Sequence, residues 1–247
     1  MKATNFEFRF RYIIHVVIFS VCFIAPWDAA WMHGRASSLW SAASMQLART
    51  GAVSFGAVSV GIALLAILLA YMGAWLRTWG GAYLGEAVVR DSSMHGAAIM
   101  ADGPYRRMRN PLYLGTWLHT LALALVMSPA GGVAAILLIG LFQLRLIFAE
   151  EAFLAEKLGA PYVAYCARVP RLLPSIKPLY PASGAPARWL PAMVTETYFW
   201  LFAISFSVLA WRYDPILIDK SLLFSLGTSM VLNAVFPARR AGRAQQA

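Results

Sequence analysis

The residues able to do chemistry fall in two polar clusters. The first reads Asp102-Gly103-Pro104-Tyr105-Arg106-Arg107-Met108-Arg109-Asn110-Pro111-Leu112-Tyr113-Leu114-Gly115. The second holds Glu150-Glu151-Ala152-Phe153-Leu154, then Tyr162, Tyr165 and Val169-Pro170-Arg171-Leu172-Leu173-Pro174. Gly103-Pro104 permits a tight turn, because Pro fixes φ and Gly tolerates unusual backbone angles. Arg106, Arg107 and Arg109 suit an acidic ligand. Asn110-Pro111 forces a non-helical residue before the next helix begins. The unpaired amides of that helix's first turn suit a carboxylate, with Tyr113 facing back toward the loop. Glu150 and Glu151 stand near the end of an apolar run, where acids need cations or water. Arg145 lies deeper and needs a partner. Carboxylates among aromatic rings suit a ligand with a positive centre. Each cluster also has a plainer reading: a basic loop with interface aromatics for the first, capping and snorkelling for the second.

Composition says what must hold these clusters. Of 247 residues, 60% are hydrophobic and only 13% charged, against about 45–50% and 25% in soluble domains. Mean hydropathy is +0.62. The chain therefore reads as an integral membrane protein. Its net charge of +10 does not point to nucleic acid, because the basic residues gather in alternate loops, as the positive-inside rule expects. Cys22 and Cys166 are far apart and predict no disulfide, and His15, His33, His95 and His119 show no metal-ligand spacing.

The apolar runs predict an all-α, polytopic helical bundle with about six membrane spans: 12–27, 52–76, 113–127, 132–149, 192–211 and 215–236. The basic start and first apolar run also describe a signal peptide, but a retained helix is expected. Ala57 and Gly61 are spaced for close helix packing. Arg77 marks a helix exit, and 77–112 is a polar segment. Ser128-Pro129-Ala130-Gly131-Gly132 is a turn. Glu150–Leu158 continues its helix out of the membrane until Gly159-Ala160-Pro161 ends it. Tyr162–Arg168 reads as a short helix, and 174–191 as a proline-rich linker along the surface. With the N-terminus in the cytoplasm, the inner face holds all but Arg35, Arg49, Arg212 and Lys220 of the 21 Lys and Arg. A hairpin that crosses and returns then brings both clusters to the cytoplasmic face of one membrane, here read as a bacterial inner membrane. No broken-helix pair suggests a transporter.

Taken together, GPYRRMRNPLYLG, an apolar hairpin, and EEAFLAEKLGAPYVAYCARVPRLLP resemble the isoprenylcysteine carboxyl methyltransferase family and the related phospholipid methyltransferases. The family pattern is G-P-Y, R-H-P or R-N-P, a Tyr, E-E-x-x-L, F-G-x-x-Y and V-P-x-x-x-P. The resemblance covers roughly residues 72–176, between N-terminal helices (1–71) and a C-terminal linker and hairpin (177–247). It implies S-adenosylmethionine bound in a cytoplasmic pocket, with a lipid-like acceptor entering from the bilayer. It assigns Gly103, Pro104, Tyr105, Arg109, Asn110, Pro111, Tyr113, Glu150 and Glu151 to the cofactor. Arg145, Glu150 and Arg168 fall to the chemistry. Asn110 stands where the prenylcysteine enzymes usually have His. Arg145 is five residues before Glu150, where they commonly show four. Carboxyl O-methylation of an isoprenylcysteine-like acceptor is the nominal activity. A carboxylate is ionised at neutral pH and needs no general base, whereas an amine acceptor must lose a proton. Phospholipid N-methylation, thiol S-methylation and a non-catalytic module docking a partner are the alternatives. The sequence indicates no oligomeric state.

Overall fold

A computed structural model describes residues 2–24, 38–84, 99–210 and 215–236. The end of the expected first span at Pro26-Trp27, most of the polar segment before Ile99, Arg35, Arg212 and the basic tail lie outside the described residues. Among those described there are ten α-helices, one 3-10 turn and no strand. In order these are α1 (Asn5–Arg9), α2 (Arg11–Ile24), α3 (Leu39–Ala48), α4 (Phe55–Leu84), the 3-10 turn Gly103–Arg106, α5 (Pro111–Ala124) and α6 (Pro129–Leu158). After them come α7 (Ala160–Arg168), α8 (Trp189–Thr195), α9 (Thr197–Ala210) and α10 (Pro215–Val235).

Local signals set the ends of these helices. The Thr4 hydroxyl accepts from the Glu7 amide while the Glu7 carboxylate accepts from the Thr4 amide, a capping box that starts α1. Ser38 caps α3 through its side-chain oxygen, which accepts from the Ser41 amide. Pro111 and Pro129 sit in the first turns of α5 and α6, where a missing N–H costs nothing. Gly159 ends α6 with φ +64°.

Three described helices are long and apolar enough to cross a membrane: Phe55–Leu84, Pro129–Leu158 and Ile216–Val235. At about 1.5 Å per residue, the first two extend beyond a hydrocarbon core of about 30 Å. That overshoot carries the lower end of α6 to the polar clusters. α2, α5 and α9 have 14 residues each, or about 21 Å, short of a full crossing.

Two boundaries differ from expectation for one reason. Arg77 does not end a helix but lies in the middle of the second half of α4. It stays there because Glu196 neutralises it, Nε to Oε2 at 2.6 Å and Nη2 to Oε1 at 3.0 Å. Glu196 sits at the break between α8 and α9, which divides the expected 192–211 helix.

The main core draws Cys22, Trp40, Ala66, Ala70, Met127, Phe202, Phe206 and Ile218 from five helices and the α5–α6 turn. Helices α4 and α5 touch at backbone level. A Cβ on Gly115 would lie 2.7 Å from the Gly73 carbonyl oxygen and 2.6 Å from Arg77 Cγ. The small pair expected to serve helix packing, Ala57 and Gly61, is instead exposed, and nothing lies within 4 Å of a Cβ built on Gly61. Small residues permit a close approach but do not choose the face.

Gly115→Ala is therefore expected to lower unfolding stability in detergent by about 1–3 kcal/mol. Gly61→Ala should be neutral, or stabilising by up to about 1 kcal/mol through helix propensity. Equal melting temperatures for the two variants would contradict the close approach.

Candidate functional site

Glu150 and Glu151 are successive on α6, so their side chains point about 100° apart. Each meets a different part of the first cluster. On one side the Tyr113 hydroxyl, in the first turn of α5, donates to Glu150 Oε2 at 3.1 Å. On the other side Glu151 is held by three donors. Arg109 donates from Nη2 to its Oε2 at 3.4 Å, and Arg109 Nε lies 3.1 Å from Oε1 as an ion pair. Asn110 Nδ2 donates to the same oxygen at 3.1 Å, and Arg171 Nε donates to Oε2 at 3.0 Å. Asn110 Nδ2 also donates to the Arg171 carbonyl at 3.1 Å.

The backbone around these groups is tied in the same way. The Arg109 amide donates to the Pro170 carbonyl at 2.9 Å, and Arg109 Nη1 to the Cys166 carbonyl at 2.9 Å. The Tyr165 hydroxyl donates to the Tyr105 carbonyl at 2.7 Å. Gly103, at φ +53°, passes against the Tyr83 ring so closely that a Cβ would lie 2.3 Å from Cε2. Only glycine fits both that angle and that gap. Pro104 and Pro111 are buried beside it. The buried Tyr105 hydroxyl has no hydrogen-bond partner among the described residues. Burial, with the Glu150 charge second, pushes its pKa well above 10, so it remains a neutral donor. A buried hydroxyl without a partner calls for an explanation, and a bound polar ligand would supply one.

Four expectations take a different form. Arg106 and Arg107 do not await an acidic ligand. Arg106 Nε donates to the Tyr180 carbonyl at 2.7 Å, and Arg107 Nη1 to the Ser175 and Ile176 carbonyls. The linker expected at 174–191 runs along the surface only as far as Arg188, before α8 begins, and the Asp102 carboxylate ties it down by accepting the amides of Ser183, Gly184 and Ala185 at 2.9–3.2 Å. Arg145 pairs with Glu7 of α1, Nη2 to Oε2 at 2.8 Å. Five residues separate Arg145 from Glu150, which puts them about 140° apart around α6. Arg168 is exposed on the last turn of α7, and Arg171 takes the place at Glu151.

Sequence reasoning missed the Arg77–Glu196 pair. Both are ionisable groups in apolar surroundings, which signals that each needs a partner without saying which. Arg77 Nη1 also donates to Thr116 Oγ1 at 2.6 Å, and its guanidinium lies 4.2 Å from the Phe199 ring centroid.

A cleft of about 490 Å³ opens beside Glu151, lined by Lys2, Arg109, Phe148, Tyr162 and Arg171 among others. Arg109 and Glu151 are the expected site residues that reach it. Gly103, Pro104, Tyr105, Asn110, Pro111, Tyr113 and Glu150 are not among its lining residues.

Residues 62–160 match the phospholipid methyltransferase family model. No curated protein and no solved structure matches the chain. The matched stretch includes Tyr113, Glu150 and Glu151, and is consistent with a membrane methyltransferase family of the phospholipid and isoprenylcysteine type.

The Arg145 hydrogen bond, followed by the Thr4 amide, lowers the Glu7 pKa from 4.5 to about 2. A depressed carboxyl pKa stabilises the folded chain above the ordinary value, and the benefit fades as pH falls toward about 2. The melting-temperature gap between the natural chain and Glu7→Gln should therefore be constant above pH 5 and shrink on acidification toward about pH 2. A gap that does not change with pH would show that this pair does not titrate as described.

Proposed function

We propose that the chain is an S-adenosylmethionine-dependent methyltransferase acting on a lipid-borne acceptor at the cytoplasmic face of a bacterial inner membrane. The observation that carries this reading is the Tyr113–Glu150 contact at 3.1 Å. It joins the two clusters that the family motif separates by a whole hairpin. The match of residues 62–160 to phospholipid methyltransferases supports the same reading, and the charge asymmetry of the loops supports the orientation.

The residues present fit the cofactor. The orphan Tyr105 hydroxyl offers a donor, and Glu150 offers a carboxylate for a positive centre. Gly103, Pro104, Asn110, Pro111 and Tyr113 supply the walls, and Arg109 with Glu151 forms the seam that fixes them. When bound, S-adenosylmethionine supplies a methyl group on a sulfonium that is displaced in line. The chain's own part is to orient the acceptor and exclude water.

The acceptor follows from the charges left over. A carboxylate acceptor needs a cation, and Arg145, which the family resemblance nominated for that role, makes three hydrogen bonds to Glu7. Arg168 is exposed. Glu150, buried beside a tyrosine, suits an ammonium and can take the proton that an amine must lose before methylation. This weighs the acceptor toward an amine-bearing phospholipid over an isoprenylcysteine carboxylate.

Membranes carrying the chain are to be incubated with a labelled methyl donor and their products sorted. Label in a base-stable phospholipid headgroup is the expected result. A base-labile ester would move the acceptor to a carboxylate, a volatile thioether would move it to a thiol, and absence of label would end the reading. Glu150→Ala should bind S-adenosylhomocysteine at least about tenfold more weakly while remaining inserted. Unchanged affinity removes Glu150 from the site.

A further inference from the structure

The cleft beside Glu151 has no part in the reading above, because none of Tyr105, Tyr113 and Glu150 lines it. Its charges do not balance. Glu151 is one carboxylate shared by two guanidiniums, Arg109 at 3.1 Å and Arg171 at 2.9 Å. Asn110 occupies the remaining acceptor site of Oε1, so Glu151 has little capacity for another cation. Lys2, exposed at the rim, adds a third positive charge. Phe148, Ala152, Ala155 and Val163 make an apolar floor, and Tyr162 and Cys166 complete the lining. Arg171 spans the two characters. Its side chain is 42% exposed, and its guanidinium lies 4.7 Å from the Phe148 ring centroid. An unbalanced cationic lip over an apolar floor is complementary to an amphiphile with an anionic head.

We infer that this cleft binds the phosphate of a lipid headgroup, at a site separate from the chamber around Tyr113 and Glu150. Arg171 and Lys2 meet the phosphate, and the apolar floor takes the first carbons of the lipid. A volume of about 490 Å³ is within the usual range for small-molecule sites, roughly 300–1,000 Å³. A free phosphate would use the cations and leave the floor unused.

The test uses the full chain in a neutral maltoside detergent and native mass spectrometry. The probes are dihexanoyl phosphatidic acid, its phosphate-free diacylglycerol and inorganic phosphate. The phosphatidic acid should bind at least about tenfold more tightly than the diacylglycerol. Inorganic phosphate at equal concentration should not displace it. Arg171→Gln should weaken it about tenfold and Lys2→Gln about threefold. Lys2 is exposed, so its variant carries the test if Arg171→Gln does not fold. Equal binding of the two lipids, or Lys2→Gln and a folded Arg171→Gln that both bind as the natural chain does, overturns the inference. Displacement by inorganic phosphate, or by S-adenosylhomocysteine, overturns it by giving the cleft to a free anion or to the methyl donor. The assay involves no methyl transfer. A chain that binds the phosphatidic acid but not S-adenosylhomocysteine therefore loses the proposed activity and keeps this site, and the reverse result does the opposite.

Discussion

Partnering buried charge is the constraint on which the rest of this molecule depends. A carboxylate withdrawn from water without a partner costs several kcal/mol. Glu150 and Glu151 stand side by side on one helix near a membrane face. Helical geometry sends them in different directions, so one partner cannot serve both. Glu150 takes the Tyr113 hydroxyl, and Glu151 takes Arg109, Asn110 and Arg171. Those partners sit on the turn before α5 and on the segment after α7. Satisfying both acids therefore folds the second cluster onto the first. The strap over that junction obeys the same rule, with Asp102 satisfied by three backbone amides of the linker.

The same demand reaches both ends of the chain. Arg77 of α4 is neutralised by Glu196, 1% exposed, from the start of the C-terminal hairpin. Arg145 of α6 is neutralised by Glu7 from the N-terminal helix. Both acids lie outside the stretch that matches the methyltransferase family, residues 62–160. The flanking helices thus do more than anchor the core in lipid. They supply the counter-charges that let two arginines remain in apolar helices. Removing one partner of such a pair typically costs about 3–5 kcal/mol, which couples the flanks to the integrity of the core.

Much of this was legible in the sequence because it is local. The helical class, the run of α6 to Leu158 and the short α7 follow from period, proline and glycine, whereas the turn expected over 128–132 ends at Ser128, because Pro129 opens α6 and Ala130 to Gly132 continue it. The meeting of the two clusters followed from the hairpin between them. What escaped was the choice of partner. Arg77 read as a helix exit because its acid lies 119 residues away. Arg106 and Arg107 read as ligand-binding because nothing local announces that carbonyls of the linker will accept from them. Ala57 and Gly61 read as a packing pair because spacing specifies a face but not its neighbour, and Gly73 and Gly115 fill that role. Pairing across distant segments is a tertiary fact, and charge type alone leaves it undetermined.

The two faces of the Glu150–Glu151 step carry opposite signs, and that contrast bears on what the site is for. The inner face presents a carboxylate with a neutral tyrosine. The outer face presents two guanidiniums and an ammonium around a single carboxylate. Adjacent Cα atoms are about 3.8 Å apart, so the change of sign occurs within one residue of helix. The two faces therefore suit different groups, a positive centre at Glu150 and an anionic head at the outer face. On the proposed readings the amine of the acceptor belongs to the inner face, and the phosphate of a lipid in the separate cleft belongs to Arg171 and Lys2. The family motif carries the two acids and Arg109, whereas Arg171 and Lys2, which tip the outer face to positive charge, stand at positions that the motif leaves open.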